Sequence, residues 1–146
     1  MTTAFIDSGV VWRALDPLHP QHRPCLDVLR KAFLPKPLLS WAVNAVVIVE
    51  TMLLLVGRSK IPAGQASRII WDGFLKSEER VVNYPVDRMT LKAALDLNSK
   101  EPSTEYPDCV IAATMKENEL KVIYTSNPSH FRRFDFIKEA LDPVHH

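Results

Sequence analysis

Apolar residues in this chain fall into short runs that alternate with longer stretches of helical spacing. Ala4-Phe-Ile-Asp7 is an apolar run ending on an acid, and predicts a short buried strand. Ser8 to Leu15 predicts a helix closed by Asp16-Pro17, because the residue before a proline is pushed out of the helical region. Pro20 to Leu34 carries Leu26, Leu29 and Phe33 at helical spacing and stops at Pro35-Lys-Pro37. Leu38 to Trp41 predicts a second short strand. Ala42 to Val56 is apolar on nearly every face, which predicts a helix buried on more than one side, with Gly57 as its stop. Its β-branched stretch, Ala45 to Val49, is compatible with a strand as well.

Ala63 to Leu75 reads as a helix with Ile69, Ile70 and Phe74 inward, and Arg80 to Asn83 as a strand. Asp87 caps a helix that runs to about Leu97, and Lys100 to Pro107 is a loop. Asp108 to Asn118 is a helix whose apolar face holds Val110, Ile111, Ala112 and Met115. Leu120 to Thr125 is a strand, Thr125-Ser-Asn-Pro128 a turn, and Phe136-Ile137 a last short strand. Strands separated by helices predict an α/β fold with a mainly parallel central sheet flanked by helices. One domain is expected over residues 1–146, with 144–146 as a tail. The closing His145-His146 pair fits a native end and a purification-tag remnant equally well, and carries no functional argument.

Composition narrows the function classes. A length of 146 residues suits one domain. With 47% hydrophobic and 24% charged residues, general disorder is excluded. Lys plus Arg is 18 against 17 for Asp plus Glu, which excludes a strongly basic nucleic-acid coat but leaves room for a local basic patch. The two cysteines, Cys25 and Cys109, are too few for a disulfide scaffold or a cysteine zinc site, and fit a reduced, cytoplasmic protein. The start, Met1 to Asp7, has no basic leader, so no secretory signal is expected. No membrane span is expected either: the most apolar stretch, Trp41 to Val56, is broken by Asn44 and Glu50 and falls short of the ~20 residues needed. Glycine-rich phosphate loops are absent.

Three carboxylates stand where a globular protein does not usually put them. Asp7 ends the first apolar strand, and ligands of open α/β sheets bind outside the carboxyl ends of strands. Glu50 lies inside Val46-Val-Ile-Val-Glu-Thr-Met-Leu-Leu-Leu55, where a carboxylate is costly unless paired, hydrogen-bonded or metal-bound. Asp108 follows Pro107 and opens an apolar helix, whose positive end favours the ionised form. Each has a structural reading of its own: Asp7 and Asp108 as helix caps, Glu50 as half of an ion pair. Taken together, three acids from three elements match the way hard divalent cations are held, by a few carboxylates plus substrate phosphate.

At these residues the chain resembles the PIN-domain ribonucleases, particularly the VapC-like toxins of VapBC-type toxin–antitoxin pairs. Phe5-Ile-Asp-Ser-Gly-Val-Val-Trp12 is similar to the family's opening strand, with Asp7 as the first metal-binding acid and Ser8 as the hydroxyl residue after it. Glu50 matches the acid on an early helix, and Tyr106-Pro-Asp-Cys-Val-Ile-Ala-Ala-Thr114 the helix start centred on Asp108. Val122-Ile-Tyr-Thr-Ser-Asn-Pro-Ser-His-Phe131 resembles the late strand that ends in Thr-x-Asp or Thr-x-Asn, with a Phe shortly after. The match runs from about residue 4 to about residue 137; the order and spacing of the motifs carry it, not any single one.

The resemblance implies a PIN-like fold and a divalent-metal-dependent endoribonuclease using Mg²⁺ or Mn²⁺. It assigns Asp7, Glu50 and Asp108 to catalysis and metal binding, with Asn127 as an accessory ligand. Metal-activated water would attack the RNA phosphodiester in line and leave 5′-phosphate and 3′-hydroxyl ends. It also implies a homodimer and a cognate antitoxin that blocks the groove, with apolar residues of the second and third helices as the antitoxin-binding surface. Ser8, Thr125, Ser126, Arg132 and Arg133 are the candidate substrate contacts. Two departures matter: the family often has Asp where this chain has Asn127, and many relatives carry Asn where it has Gly9. An amide oxygen ligates a cation without adding charge, so the site would hold three formal charges rather than four, unless Glu105 leans in.

Other candidates are weaker. His130, Arg58 and Lys60 are further phosphate contacts or simply solvated surface. Trp12, Trp41 and Trp71 read as core or partner interface. His19 and His22 lack a third ligand nearby. Cys109 reads as a buried small hydrophobe. The second functional reading is a PIN-like module, catalytically weakened or inactive, that binds RNA or protein after losing its fourth acid.

Overall fold

The computed structural model describes residues 1–145. Its strands are β1 (Thr2–Ile6), β2 (Leu39–Val43), β3 (Val81–Asn83), β4 (Val122–Tyr124) and β5 (Glu139–Leu141). Its helices are α1 (Ser8–Leu15), α2 (His22–Leu29), α3 (Ala45–Gly57), α4 (Ala63–Ile70), α5 (Arg88–Lys100), α6 (Tyr106–Glu117) and α7 (Pro128–Phe131). A 3₁₀ turn, Arg30–Phe33, extends α2, and a π turn, Trp71–Leu75, extends α4. The five strands form one sheet in the order β3-β2-β1-β4-β5, and every neighbouring pair is parallel. The α/β fold with a parallel sheet flanked by helices is the one expected from the alternation of elements. Among the described residues, no helix is long and apolar enough to cross a membrane.

β1 lies at the centre of the sheet. The chain leaves it for β2 and β3 on one side and returns to β4 and β5 on the other. Strand order therefore reverses between β1 and β4, and the crevice beyond their carboxyl ends is where ligands of such sheets bind. Phe5 pairs with Ile123 and Ile6 with Tyr124, so the next residues out, Asp7 and Thr125, stand side by side at the mouth of that crevice.

The elements differ from the sequence reading at boundaries where two apolar segments run together. Ala42 and Val43 belong to β2, paired with Val82 and Asn83, and α3 starts only after Asn44. Buried Asn44 caps α3 by accepting from Val47 N, and its Nδ2 donates to Thr114 Oγ1 at 2.9 Å, which ties α3 to α6. The helix buried on more than one side is α6, where Cys109 through Met115 are all buried. α3 instead leaves Val49 (57%) and Leu53 (66%) exposed.

α6 begins at Tyr106, inside the stretch expected to be loop, so Asp108 is the third residue of the helix rather than its first. The last strand is Glu139–Leu141 and not Phe136-Ile137. Phe134 and Phe136 stack in a turn with ring centroids 5.7 Å apart, and pairing with β4 resumes only beyond it. Trp12 and Trp41 are buried, whereas Trp71 in the π turn is 53% exposed. Of the tail expected over residues 144–146, Val144 packs against the core, and residue 146 lies outside the described residues.

Candidate active site

A cleft of ≈ 360 Å³ opens at the carboxyl ends of β1 and β4. Asp7, Ser8, Glu50, Glu105, Asp108, Ser126, Asn127 and His130 line it, with Gly9, Trp12, Arg13, Leu54 and Arg58. The fold thus brings the three sequence-selected acids to one cavity from the end of β1, the middle of α3 and the first turn of α6.

Asp7 is both a cap and a site residue. Its Oδ1 accepts from Ser8 N at 2.8 Å, capping α1, and its Oδ2 accepts from Thr125 Oγ1 at 2.8 Å. Thr125 Oγ1 in turn accepts from Asn127 N at 3.1 Å, so Thr125 is fixed from both sides. The Ser8 hydroxyl lies 3.5 Å from Asp7 Oδ1 and 3.3 Å from Glu50 Oε1, and so bridges two of the acids. Asp108 Oδ2 meets His130 Nδ1 at 2.9 Å.

These contacts do not offset the cost of gathering buried charge. Burial pushes Asp7 up to about 6, and the nearby Asp108 adds to the rise against the hydrogen bonds from Thr125 and Ser8. Burial pushes Glu50 up to about 7, reinforced by Asp7, Asp108 and Glu105. Burial also raises Asp108, while His130 opposes the rise. Glu105 is exposed but lines the same cleft and acts on both Glu50 and Asp108.

The remaining candidates divide. Ser126 is in the cleft against Gly9: a Cβ at position 9 would stand 2.6 Å from Ser126 Oγ. Asn127 is exposed at the cleft edge and precedes α7. Arg132 and Arg133 are not among the lining residues. Arg132 donates to Ala140 O at 3.1 Å, and Arg133 to Ser103 Oγ at 2.7 Å and Thr104 Oγ1 at 3.0 Å. The basic residues in the cleft are Arg13 and Arg58. Lys60, His19 and His22 do not line it, and His22 Nδ1 instead contacts Arg13 O at 2.9 Å.

Three features escaped the sequence. Arg13 lines the cleft from α1, and nothing in its local spacing marks it. Asn44 carried a readable signal, since an amide inside an apolar run is a helix cap. The His130–Asp108 contact joins residues far apart in sequence, and nothing local announces it.

Solved structures share this fold at low identity. The Mycobacterium tuberculosis toxin VapC20, which cleaves the sarcin-ricin loop, superposes with a TM-score of 0.70 at 17% identity over 89% of this chain and 94% of that one. Rickettsia felis VapBC2, bound to a DNA fragment from its promoter, gives 0.66 at 16% identity over 97% and 98%. FitAcB from Neisseria gonorrhoeae gives 0.65 at 21% identity over 98% and 99%. No curated protein matches the chain by sequence. The family model for the PIN domain matches residues 4–137, from within β1 to just short of β5, and on that match the chain belongs to the PIN domain family.

Proposed function

We propose that this chain is a divalent-cation-dependent endoribonuclease acting as the toxin of a toxin–antitoxin pair. One observation carries the reading: Asp7, Glu50 and Asp108, from three separate elements, line one cleft at the sheet's reversal point. Family membership and the fold shared with toxins support it.

Among the described residues, no three His, Cys, Asp or Glu side chains are gathered tightly enough to enclose an ion as they stand. The donor chemistry nevertheless fits a hard cation. The cleft offers carboxylate, amide and hydroxyl oxygens, and its acids repel one another. Asp7, Glu50 and Asp108 would hold Mg²⁺ or Mn²⁺, with Asn127 at the edge. When bound, the cation supplies charge neutralisation at the scissile phosphate and a lowered pKa for the attacking water.

The chain's own residues do the positioning. Thr125 holds Asp7 in one orientation, and Ser8 couples Asp7 to Glu50. Arg58, which lines the cleft, is the phosphate contact we favour over Arg132 and Arg133, whose guanidiniums are engaged elsewhere, and over Arg13, whose guanidinium lies by Cys25 and the Trp12 ring. Ser126 lines the cleft at the strand end where a ribose or phosphate would lie, whereas Thr125 is buried behind it with its hydroxyl taken by Asp7 and Asn127.

For partners, the exposed apolar residues matter. α2 buries Cys25, Val28 and Leu29, whereas α3 exposes Val49 and Leu53, and α5 exposes Met89, Leu91 and Leu95. A largely apolar groove between them is lined by Val46, Val49, Val86 and Leu91 and takes in Glu50 and Tyr106. We assign the α3–α5 face to protein contacts, in a homodimer or with the antitoxin.

One observation favours a second reading, a binding module without catalysis: Asn127 brings no charge where an acid is usual for the family. EDTA separates the two. A nuclease stops cleaving RNA in EDTA and resumes with excess Mn²⁺; a binding module retains RNA at unchanged affinity throughout.

A further inference from the structure

Asp108 takes its side-chain hydrogen bond from a different element, α7. It lies in the first turn of α6, beyond the Glu105 cap, and its side chain is only 14% exposed. Among the described residues, its recorded side-chain partner is His130, with Nδ1 2.9 Å from Oδ2. His130 is itself firmly placed. Pro128 sets the start of α7, His130 N donates to Asn127 O at 3.1 Å, and the adjacent Phe131 is fully buried. The imidazole is therefore anchored by the core on one side while its ring reaches the cleft on the other. A carboxylate turns freely about its last bond unless a donor fixes one oxygen.

We propose that His130 is a positioning residue: its Nδ1–H donates to Asp108 Oδ2, fixes the carboxylate plane, and leaves Oδ1 for a divalent cation. The inference rests on the proposed function, because it presumes that Asp108 binds a cation. Together with Thr125, which fixes Asp7, it makes the segment from β4 through α7 the common support of two acids from different elements. Hydrogen-bond partners of ligating carboxylates typically contribute 10- to 100-fold in metal affinity.

The test is calorimetric titration of Mn²⁺ into wild type, Asp108→Asn, His130→Ala and His130→Asn, without RNA, alongside thermal unfolding. An asparagine amide can place a donor where Nδ1–H stands. We expect wild type to bind, Asp108→Asn to lose binding, His130→Ala to bind roughly 10- to 100-fold more weakly at similar melting temperature, and His130→Asn to recover most of that loss. Nitrogen NMR of the metal-free wild type should show Nδ1 of His130 protonated. His130→Ala binding as tightly as wild type, His130→Asn as weak as His130→Ala, or an unprotonated Nδ1 overturns the positioning role and leaves the cation reading standing. Wild type failing to bind, or Asp108→Asn binding as wild type does, overturns the cation reading and the inference with it.

Discussion

Thr125 Oγ1 donates to Asp7 Oδ2 at 2.8 Å, joining the ends of two neighbouring strands across 118 residues of sequence. Both residues are buried. Removing this hydroxyl leaves a buried carboxylate oxygen without its donor, which costs about 1–3 kcal/mol. Thr125→Val, nearly the same shape, should lose that much stability in urea unfolding near neutral pH. It should also raise Asp7 further and weaken Mn²⁺ binding.

The acids set a pH dependence of unusual sign. Asp7 sits at about 6 and Glu50 at about 7, against ordinary values of 3.8 and 4.5. The folded protein therefore holds protons that the unfolded chain releases. Between about pH 4 and pH 7, the metal-free fold loses stability as pH rises. For Asp7 alone the loss is on the order of 3 kcal/mol at most. Differential scanning calorimetry should find a lower melting temperature at pH 8 than at pH 5, from these groups. Millimolar Mn²⁺ should recover it at pH 8 and have little effect at pH 5.

Gly9 makes room for Ser126. A Cβ at position 9 would stand 2.6 Å from Ser126 Oγ, the end of a small side chain that can turn away. Gly9→Ala should therefore be neutral or raise stability by up to about 1 kcal/mol, as alanine favours helix. If the Ser126 hydroxyl contacts RNA, Gly9→Ala and Ser126→Ala should each slow cleavage. The double variant should then be no slower than either single one. An unchanged rate in Ser126→Ala would place Ser126 outside substrate contact, and additive losses would show that Gly9→Ala acts by another route.

Leu53 projects from α3 at 66% exposure and Val49 at 57%. Leu53→Asp should leave the melting temperature within a few degrees, since the side chain is not in the core. It should shift the mass measured by light scattering from dimer to monomer, or prevent antitoxin binding. An unchanged mass and unchanged antitoxin binding would remove the α3–α5 face as an interface.

Much of this was legible in the sequence. The alternation of short apolar runs with helical stretches fixes a parallel α/β sheet, and an acid at a strand end points into its crevice. Asp7, Glu50 and Asp108 stood out because apolar surroundings make a carboxylate costly. Other features depend on tertiary contact. Ala42 and Val43 look like helix until β3 pairs with them. α3 looks buried all round because an exposed apolar face and one packed on the core read alike. Arg13 and His130 gained their places from the packing of α1 and α7, which no local spacing encodes.

The central claim is that three acids in this cleft support cation-dependent RNA hydrolysis. Its most direct test is cleavage of a mixed-sequence fluorogenic RNA under Mg²⁺ or Mn²⁺ titration, with Asp7→Asn and Asp108→Asn alongside. We expect metal-dependent cleavage that leaves 5′-phosphate ends, and losses in both variants beyond the roughly 100-fold typical of outer-shell partners. Cleavage by either variant at the wild-type rate, or no cleavage by folded wild type at any metal concentration, would contradict it.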